Sequence, residues 1–429
     1  MAMITSILDT DLYKLTMQAA VLKHYPNCHV AYRFTNRGGT LFSSSTFTAI
    51  EAAVSHLSTI ALTSTERSWL EKRCPFFSPS YLDYLEAFRF HPDEQVSIEF
   101  VKKNTDSDGV EWGSLEIEIK GNWAETIPYE VPIMAIISEA YFVTDCTQWD
   151  YVGQLALAKE KGKTLFGAGC VVSEFGTRRR RSYLSQDLVM QGLLSANEEY
   201  GKGEGRGKLA GTSNIHFAQK YDVAAIGTIA HGMACYFGSS CKLTDSGDLL
   251  AEWIMGIAAM HGYVGSNGLA MDLWESAYPS GALSIALTDT FTTAPFFDDF
   301  LSNPERARRW KGLRQDSGDP VKFIKLAKEA FLQVGANPKE KVIVFSDGLD
   351  IPKCVELQKK CVEAGVGCSF GVGTTFTNDY KIVFNPDKAN LTGAGEVPRS
   401  GEPSKALNMV RPPPPGSHLP LTHLPSSFL

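Results

Sequence analysis

Residues 342–350 read V-I-V-F-S-D-G-L-D, an apolar run that ends in a polar turn containing glycine. A run of this length fits a buried β-strand, and the turn after it fits a functional loop. A helical pattern follows directly at 351–364. Strand, turn and helix in this order predict one unit of a parallel sheet with helical crossovers.

The same pattern recurs on both sides of this stretch. Helices are also predicted at 181–194 and 321–332, and the seven predicted strands are 169–173, 208–212, 223–228, 283–288, 312–315, 342–346 and 367–371. Seven such units fit an irregular α/β barrel better than a flat doubly wound sheet. Polar and glycine residues cluster just after the strands, at the face where a barrel carries its chemistry.

The first 150 residues have a different pattern. Alternating polar and apolar residues at 30–35, 95–101 and 113–120 predict half-buried strands, and the spacing at 47–57 predicts a helix. We therefore expect an antiparallel α+β domain at 1–150 and the barrel at 151–384.

Composition excludes several classes of protein. The chain has 429 residues, 44% of them hydrophobic and 21% charged, which is typical of a soluble globular protein. A net charge of -7 argues against a nucleic acid or a membrane surface as partner, and no apolar stretch approaches the ~20 residues of a membrane span. The nine cysteines are scattered without a C-x-x-C pair, and no signal peptide is apparent. We expect reduced thiols in the cytoplasm, with the nucleus as a second compartment.

Four consecutive arginines, Arg178 to Arg181, follow the predicted strand 169–173. Guanidinium groups present paired donors that suit phosphate or pyrophosphate. A solvated charge run explains the same pattern, and charge alone does not separate the two interpretations.

Further candidate residues follow the other strands. Arg314 and Asp316 suggest a carboxylate clamp beside an acceptor for sugar hydroxyls or hydrated magnesium, with a buried salt bridge as the alternative. The turns 346–348 and 371–375 contain glycines that let the backbone approach an anion, although glycines also mark ordinary tight turns. His231 ends the segment 227–231 without any metal-ligand spacing around it, and a lone histidine is more often structural than catalytic.

Taken together, these motifs resemble those of the nicotinate phosphoribosyltransferase family. The stretch D-T-D-L-Y-K-L-T-M at 9–17 is similar to the opening signature of the family. Six further motifs appear in the family's order, at 173–180, 209–214, 227–231, 313–320, 345–350 and 370–379. The resemblance covers about residues 5–231 and 252–410.

The resemblance implies a fold, a reaction and an assembly. The fold is an irregular seven-stranded α/β barrel joined to an open-faced domain that about residues 385–410 complete. The reaction is that of an ATP-coupled ligase, which forms nicotinate mononucleotide and pyrophosphate from nicotinate and phosphoribosyl pyrophosphate with Mg²⁺. The assembly is a homodimer with shared active sites, in which Tyr13 of one subunit reaches the site of the other.

The resemblance also implies the roles of individual residues. Phe175 and Tyr13 would sandwich the pyridine ring, Arg314 would bind its carboxylate, and ATP would phosphorylate His231. Arg178 would contact pyrophosphate and Asp316 the ribose hydroxyls. The 5-phosphate would be held by Asp347, Gly348, Gly373 and Thr374, and the remaining substrate-binding residues are Thr212, Ser213, Asp289, Ser346 and Gly371.

Two alternatives stay open at this point. A nicotinamide phosphoribosyltransferase would use the same chemistry, and a non-catalytic protein would keep the fold without turnover. Ser213 and Arg314 together favour nicotinate over nicotinamide, because the similar nicotinamide enzymes carry an aspartate in place of Ser213 that accepts from the amide group.

Two segments depart from the family pattern. In the family the histidine runs straight into Glu-Trp, whereas here residues 232–251 separate His231 from Glu252 and Trp253. The proline-rich tail 411–429 replaces the family's remaining strands and helix. We hypothesise that both segments are translated intron or an erroneous gene model, and a lineage-specific surface loop is the alternative.

We expect the chain as written to be weakly active or inactive, and a version that lacks 232–251 and carries a family-like C-terminus to recover turnover. The insertion directly follows the proposed phosphorylated histidine, where a displacement of ~1 Å can cost about 100-fold in rate. A coupled assay with nicotinate, phosphoribosyl pyrophosphate and ATP compares the two proteins. Full activity of the chain as written, or transcripts with both segments as the sole form, would contradict the hypothesis.

Overall fold

The computed structural model describes residues 3–34, 36, 38–203, 205–227, 235–237, 252–383, 401 and 403–407. His231, most of the insertion 232–251 and the whole tail 411–429 lie outside these residues. Among the described helices, none is both long and apolar enough to cross a membrane.

The described residues form helices and strands that alternate along most of the chain. The helices are α1 (Leu12–His24), α2 (Ser44–His56), α3 (Ser64–Arg73), α4 (Pro79–Ala87), α5 (Pro92–Gln95), α6 (Trp123–Thr126), α7 (Glu130–Thr144), α8 (Gln154–Gly167), α9 (Tyr183–Tyr200), α10 (Ile215–Lys220), α11 (Glu252–His261), α12 (Ser266–Ala277), α13 (Thr293–Ser302), α14 (Pro304–Arg309), α15 (Pro320–Gln333), α16 (Ile351–Ala364) and α17 (Thr374–Thr377). Short 3-10 turns span Leu57–Thr59, Ile127–Tyr129, Thr177–Arg179 and Pro338–Glu340. The strands are β1 (His29–Arg33), β2 (Phe42–Ser43), β3 (Val96–Thr105), β4 (Glu111–Asn122), β5 (Val171–Glu174), β6 (Lys208–Thr212), β7 (Cys235–Phe237), β8 (Ile285–Leu287), β9 (Gly312–Gln315), β10 (Val342–Phe345), β11 (Gly367–Val372), β12 (Tyr380–Lys381) and β13 (Pro403–Ser404).

Six of the seven predicted barrel strands form one parallel sheet with the order β6-β5-β11-β10-β9-β8. The predicted helices appear as α9, α15 and α16 between them. The seventh predicted strand, 223–228, contributes an isolated parallel bridge between Thr212 and Ala225 within the described residues. The α/β class with a parallel sheet is thereby confirmed.

Local sequence signals explain why these helices start and stop where they do. The Asp350 side chain accepts from the backbone N–H of Lys353 at 2.8 Å and caps α16, with a proline in its first turn. Gly365 ends α16 with φ at 70°, a left-handed conformation that glycine adopts without strain. This cap fixes the start of α16, so the turn between β10 and α16 lies at the edge of the sheet.

The N-terminal part forms an antiparallel sheet, in agreement with the strands predicted at 30–35, 95–101 and 113–120. The long strand β4 pairs with β3 on one side and with β1 and β2 on the other. The backbone of β7, which lies in the insertion, pairs antiparallel with β1 at the sheet edge. Among the described residues of the chain end, β13 pairs with β12.

The pattern of the resemblance resumes at Glu252, the first residue of α11. The Trp253 side chain is fully buried and lies 6.2 Å from the Trp123 ring and 6.0 Å from the Trp274 ring, centroid to centroid. This aromatic cluster joins the N-terminal part to α11 and α12.

The N-terminal segment before α1 is fastened to the barrel sheet. The carboxylate of Asp9 accepts two hydrogen bonds from Arg180, at 2.7 and 2.8 Å, and both side chains are almost completely buried. Backbone bonds add to this ion pair, because the N–H of Leu12 donates to the carbonyl of Ser213 at 2.8 Å. The start of the chain therefore lies against the carboxyl ends of β5 and β6.

We expect Arg180→Ala to lower the free energy of unfolding by about 3–5 kcal/mol, because it leaves the Asp9 carboxylate buried without its cation. Arg309→Ala is the matched control, since Arg309 pairs with Glu275 at 2.7 Å on the surface and such pairs contribute about 1 kcal/mol or less. Denaturant unfolding of the two variants measures both losses. Equal losses would show that the buried pair does not fasten the N-terminal segment.

Candidate active site

The predicted site residues lie along one edge of the parallel sheet. Parallel strands in one sheet run in the same direction, so their carboxyl ends share an edge. The predicted residues lie in or just after these ends: Phe175 and Arg178 after β5, Thr212 and Ser213 at β6, Asp289 after β8, Arg314 and Asp316 at β9, Ser346, Asp347 and Gly348 after β10, and Gly371, Gly373 and Thr374 at β11. Tyr13 comes from α1, and His231 lies outside the described residues.

The end of β9 carries a hydrogen-bonded group of three side chains. The Nε of Arg314 donates to the Oγ of Ser346 at 2.8 Å, and a terminal guanidinium nitrogen lies 3.2 Å from Oδ1 of Asp316. Ser346 donates to the same carboxylate oxygen. The salt bridge that the sequence offered as an alternative is therefore present, and a ligand carboxylate at Arg314 would share the guanidinium with Asp316.

Three aspartates follow the neighbouring strands β8, β9 and β10. Burial raises the pKa of Asp347, and the negative charges of Asp316 and Asp289 raise it further. The positive charge of Lys353 acts on this pKa in the opposite direction. Ser317 donates from its hydroxyl to the Asp289 carboxylate. This half of the edge is thus acidic and suits cations and hydroxyl donors.

The first two arginines of the run face the site. A terminal nitrogen of Arg178 donates to Oε1 of Glu130 at 3.1 Å, and one of Arg179 donates to Oγ1 of Thr374 at 3.4 Å. The negative charge of Asp316 acts on both guanidinium groups. Arg178 and Arg179 therefore give the opposite half of the edge a positive charge.

The last two arginines are structural, which corrects the interpretation of the whole run as either an anion site or a solvated patch. Arg180 binds Asp9, as described above. The guanidinium of Arg181 lies 4.2 Å from the centre of the Phe142 ring and 4.5 Å from that of Tyr380, and its Nε donates to Asn378 at 2.7 Å. Both side chains are fully buried, because an adjacent strand-to-helix turn points them into the protein interior.

Glu130 holds Arg178 and Tyr13 from behind. Its buried carboxylate accepts from the Tyr13 hydroxyl at 3.2 Å and forms an ion pair with the buried Lys14. Burial alone would raise the pKa of Glu130, but the positive charges of Lys14 and Arg178 lower it. Within one chain, Tyr13 and Arg178 therefore share the carboxylate of Glu130 as their hydrogen-bond partner. The contact of Tyr13 with the site of a second subunit stays a prediction.

Two glycines, Gly371 in β11 and Gly373 directly after it, make room for Phe175. A Cβ atom at Gly371 would lie 2.4 Å from the Phe175 ring, and one at Gly373 would lie 2.8 Å from the Phe175 carbonyl oxygen. Real Cβ atoms do not approach other atoms this closely, so neither position tolerates a side chain without a shift. The partly exposed Phe175 ring thus lies directly on the backbone of β11.

Lysine side chains hold the two glycine-containing turns, 346–348 after β10 and 371–375 at the end of β11. The Nζ of Lys353 donates to the carbonyl oxygens of Asp347 at 3.0 Å and Gly348 at 3.3 Å. Gly348 has φ at 51°, which favours glycine. Lys161 donates to the Thr375 carbonyl oxygen at 2.6 Å and so fixes the turn after β11 from α8.

The end of β6 is bound to its surroundings through two hydroxyl groups. Thr212 is fully buried and donates to Oε2 of Glu174 at 2.7 Å. Ser213 donates to Oδ1 of Asp11 at 2.8 Å. Burial raises the pKa of Asp11, and Arg178 opposes this shift. Any negative group introduced at 213 would therefore face a second carboxyl.

Sequence reasoning missed Glu130, Asp11 and Glu174. Asp11 lies within the quoted opening motif but received no role. Glu130 had a usable signal, because a single acidic residue begins the apolar run V-P-I-M-A-I-I, and a charge there requires a buried partner. Glu174 directly precedes Phe175 and carries no sequence signal beyond that position.

The comparisons with known proteins agree with one another. Residues 170–388 match the model of the nicotinate phosphoribosyltransferase (NAPRTase) family, and residues 8–138 match the model of that family's N-terminal domain. The chain is 40% identical over 400 residues to a nicotinate phosphoribosyltransferase of Methanococcoides burtonii, covering 90% of this chain and 86% of that one. It is 38% identical over 393 residues to the Saccharomyces cerevisiae enzyme of that name, covering 89% of this chain and 84% of that one.

A solved structure has the same architecture. The crystal structure of a Saccharomyces cerevisiae protein assigned to the same activity superposes with a TM-score of 0.82 at 35% identity, covering 95% of this chain and 90% of that one. The fold of the described residues is thus similar to an experimental structure with related sequence.

The buried carboxyl of Glu174 predicts a pH dependence of stability. Burial raises its pKa from 4.5 to about 7, so the folded chain binds this proton more tightly than the unfolded chain. Its contribution to the free energy of unfolding is complete below the unfolded pKa and is lost as the pH rises through about 7. The loss is about 3 kcal/mol, at about 1.4 kcal/mol per pKa unit.

Glu174→Gln should remove this slope, while Glu139→Gln, whose carboxyl burial raises to a pKa of about 6, should remove a smaller one. Denaturant unfolding between pH 4.5 and 8 gives the profiles. A Glu174→Gln profile parallel to that of the wild type would show that Glu174 does not titrate in this range.

Proposed function

The chain belongs to the nicotinate phosphoribosyltransferase family and has this family's function in NAD salvage, and we propose that it couples the transfer to ATP hydrolysis at the strand edge described above. The observation that carries the proposal is the division of this edge into an acidic half at β8 to β10 and a basic half at β5. The substrates are proposed to be nicotinate, phosphoribosyl pyrophosphate and ATP.

We propose that the pyridine ring of nicotinate binds between Phe175 and Tyr13, with its carboxylate at Arg314. The Phe175 ring has one face on β11 and is partly exposed. Arg314 already binds a carboxylate, that of Asp316, in bonds that a ligand carboxylate would partly replace. Ser213 is neutral and does not oppose the substrate's charge.

The ribose and phosphates are proposed to span the two halves of the edge. Asp289 and Asp316 would accept from the ribose hydroxyls, and Arg178 would contact pyrophosphate. Ser346, Asp347, Gly348, Gly371, Gly373 and Thr374 would surround the 5-phosphate. Mg²⁺ prefers oxygen ligands, suits these carboxylates as a hydrated ion, and would neutralise charge on the substrate phosphates.

The chemistry requires positioning more than a nucleophile from the protein. Glycosyl transfer passes through a cationic, oxocarbenium-like sugar while pyrophosphate leaves with the bonding electrons. The carboxylates of Asp289 and Asp316 stabilise the developing positive charge, and Arg178 stabilises the leaving anion. The nitrogen of nicotinate then bonds to the anomeric carbon.

Several finer features complete the proposal. His231 would be phosphorylated by ATP, the chain would form a homodimer with shared sites, and it would act in the cytoplasm, with the nucleus as a second compartment. The segment 223–228 would close the sheet into a seven-stranded barrel. Two backbone hydrogen bonds of Thr212 support this closure. Its N–H donates to the carbonyl oxygen of Ala224 at 3.2 Å, and its carbonyl oxygen accepts from the N–H of Ile226 at 2.8 Å.

A coupled assay of the purified chain, run beside the version that lacks 232–251 and carries a family-like C-terminus, tests the proposal, and the more active of the two proteins decides it. Nicotinate mononucleotide should form from nicotinate and phosphoribosyl pyrophosphate, and its formation should rise with ATP and fall when EDTA removes Mg²⁺. Product formation that is unaffected by ATP and EDTA would overturn the coupling and the magnesium requirement.

We expect the wild type to prefer nicotinate and Ser213→Asp to lose activity on nicotinate by about 100-fold, because the new carboxylate would face both the substrate carboxylate and Asp11. Ser213→Asn is the matched control, since it has the same size as the aspartate without the charge, and it should lose far less. Steady-state rates on both pyridines measure the effect. Equal use of nicotinamide by the wild type would contradict the role of Ser213.

We expect His231→Asn to abolish ATP hydrolysis while leaving slow, ATP-independent transfer, because it removes the proposed phosphate acceptor. ATPase and transfer rates are measured on the same preparation, with thermal unfolding as the control for stability. An unchanged ATPase rate would exclude His231, and a large loss of thermal stability would indicate a structural histidine instead.

A further inference from the structure

Glu174 is the last residue of β5 and lies directly beneath the proposed pyridine site. Its side chain is fully buried. The next residue is Phe175, and the turn that follows leads to Arg178. The role assigned to the site does not use Glu174.

Three donors from three different elements converge on the Glu174 carboxylate. The backbone N–H of Gly176, in the turn after β5, donates to Oε1. The hydroxyl of Thr212, at the end of β6, donates to Oε2 at 2.7 Å, and Nε2 of Gln186, in α9, donates to the same oxygen at 2.9 Å. The carboxylate therefore connects the two neighbouring strand ends to the helix behind them.

The backbone of Glu174 adds a fourth connection. Its carbonyl oxygen accepts from the N–H of Ser213 at 2.8 Å. One residue thus fixes both the turn that carries Phe175 and the turn that carries Ser213.

The turn after β5 is also fixed from its other side. The hydroxyl of Thr377 donates to the Gly176 carbonyl oxygen at 3.1 Å, and a Cβ atom at Gly176 would lie 2.3 Å from the Thr377 side chain. The turn has no free space toward α17. The turn is therefore enclosed between α17 on one side and the Glu174 carboxylate on the other.

We infer that Glu174 is a positioning residue that sets the spacing between Phe175 and Ser213 and thereby determines the affinity for nicotinate. The inference rests on the proposed function of the same site. In that proposal phosphoribosyl pyrophosphate binds mainly at β8 to β11 and contacts the turn after β5 through Arg178, whose guanidinium is held separately by Glu130 at 3.1 Å. The effect of Glu174 therefore falls chiefly on the pyridine.

An amide does not replace this carboxylate. A glutamine at 174 would direct an NH2 group toward at least one of the three donors, and a buried donor without an acceptor is unfavourable. The two turns would then separate or one donor would lose its bond. Thr212→Val removes one donor at nearly constant shape and disturbs the same connection from β6.

The experiment measures binding of nicotinate and of phosphoribosyl pyrophosphate to the full chain by calorimetry at pH 8, above the pKa of about 7 of Glu174, so that its carboxylate is ionised. Glu174→Gln should weaken nicotinate binding by about tenfold and change phosphoribosyl pyrophosphate binding by less than about twofold. Thr212→Val should act in the same direction, and Thr212→Ser, which keeps the hydroxyl donor, should weaken nicotinate binding less than Thr212→Val. The effects of the double variant Glu174→Gln/Thr212→Val should be less than additive. Glu139→Gln is the matched control, because its carboxyl is also largely enclosed but accepts from the Tyr183 N–H at 3.0 Å, outside both turns.

The outcomes separate the inference from the proposed function. A wild type that binds neither ligand overturns the proposed function and the inference together. A wild type that binds both overturns the inference alone if Glu174→Gln binds nicotinate equally well, or if it loses both ligands to the same extent. If Glu174→Gln does not fold, Thr212→Val decides in the same way.

Discussion

The buried ion pair between Asp9 and Arg180 is the interaction on which the arrangement of the site depends. It fastens the segment before α1 to the turn after β5, and both charges are removed from water. Asp11 and Tyr13 follow Asp9 within one turn of chain, so their positions beside Ser213 and Arg178 depend on this contact. The opening motif of the chain is thus part of the site although it lies outside the parallel sheet.

The four consecutive arginines look equivalent in the sequence but differ in burial and in role. Arg178 and Arg179 remain at the sheet edge, whereas Arg180 and Arg181 turn inward to a carboxylate and to aromatic rings. Four identical side chains in a row give no local sign of this division, because the deciding partners lie far away along the chain. Asp9 is separated from Arg180 by 171 positions.

The strand-and-turn pattern predicted most of the parallel sheet and the edge at which the site lies. The spacing of apolar residues and the position of glycines in turns can both be read from a short stretch of sequence. The sequence did not predict the groups that support the site from behind. Glu130 contacts Tyr13 across 117 positions, and Glu174 contacts Thr212 across 38. Such contacts depend on the packing of α7, β5 and β6, which no short stretch of sequence encodes. His231 lies outside the described residues, so its predicted role stays a prediction.

The contact of the Phe175 ring with Gly371 has a consequence for how the chain can change over generations. A methyl group at 371 would overlap the ring, so alanine there becomes acceptable only after a smaller residue has replaced Phe175. The reverse order passes through an intermediate in which the Phe175 ring or the β11 backbone has to shift. The two positions are therefore epistatic, and their substitutions should appear in a fixed historical order within any lineage that has lost the aromatic ring.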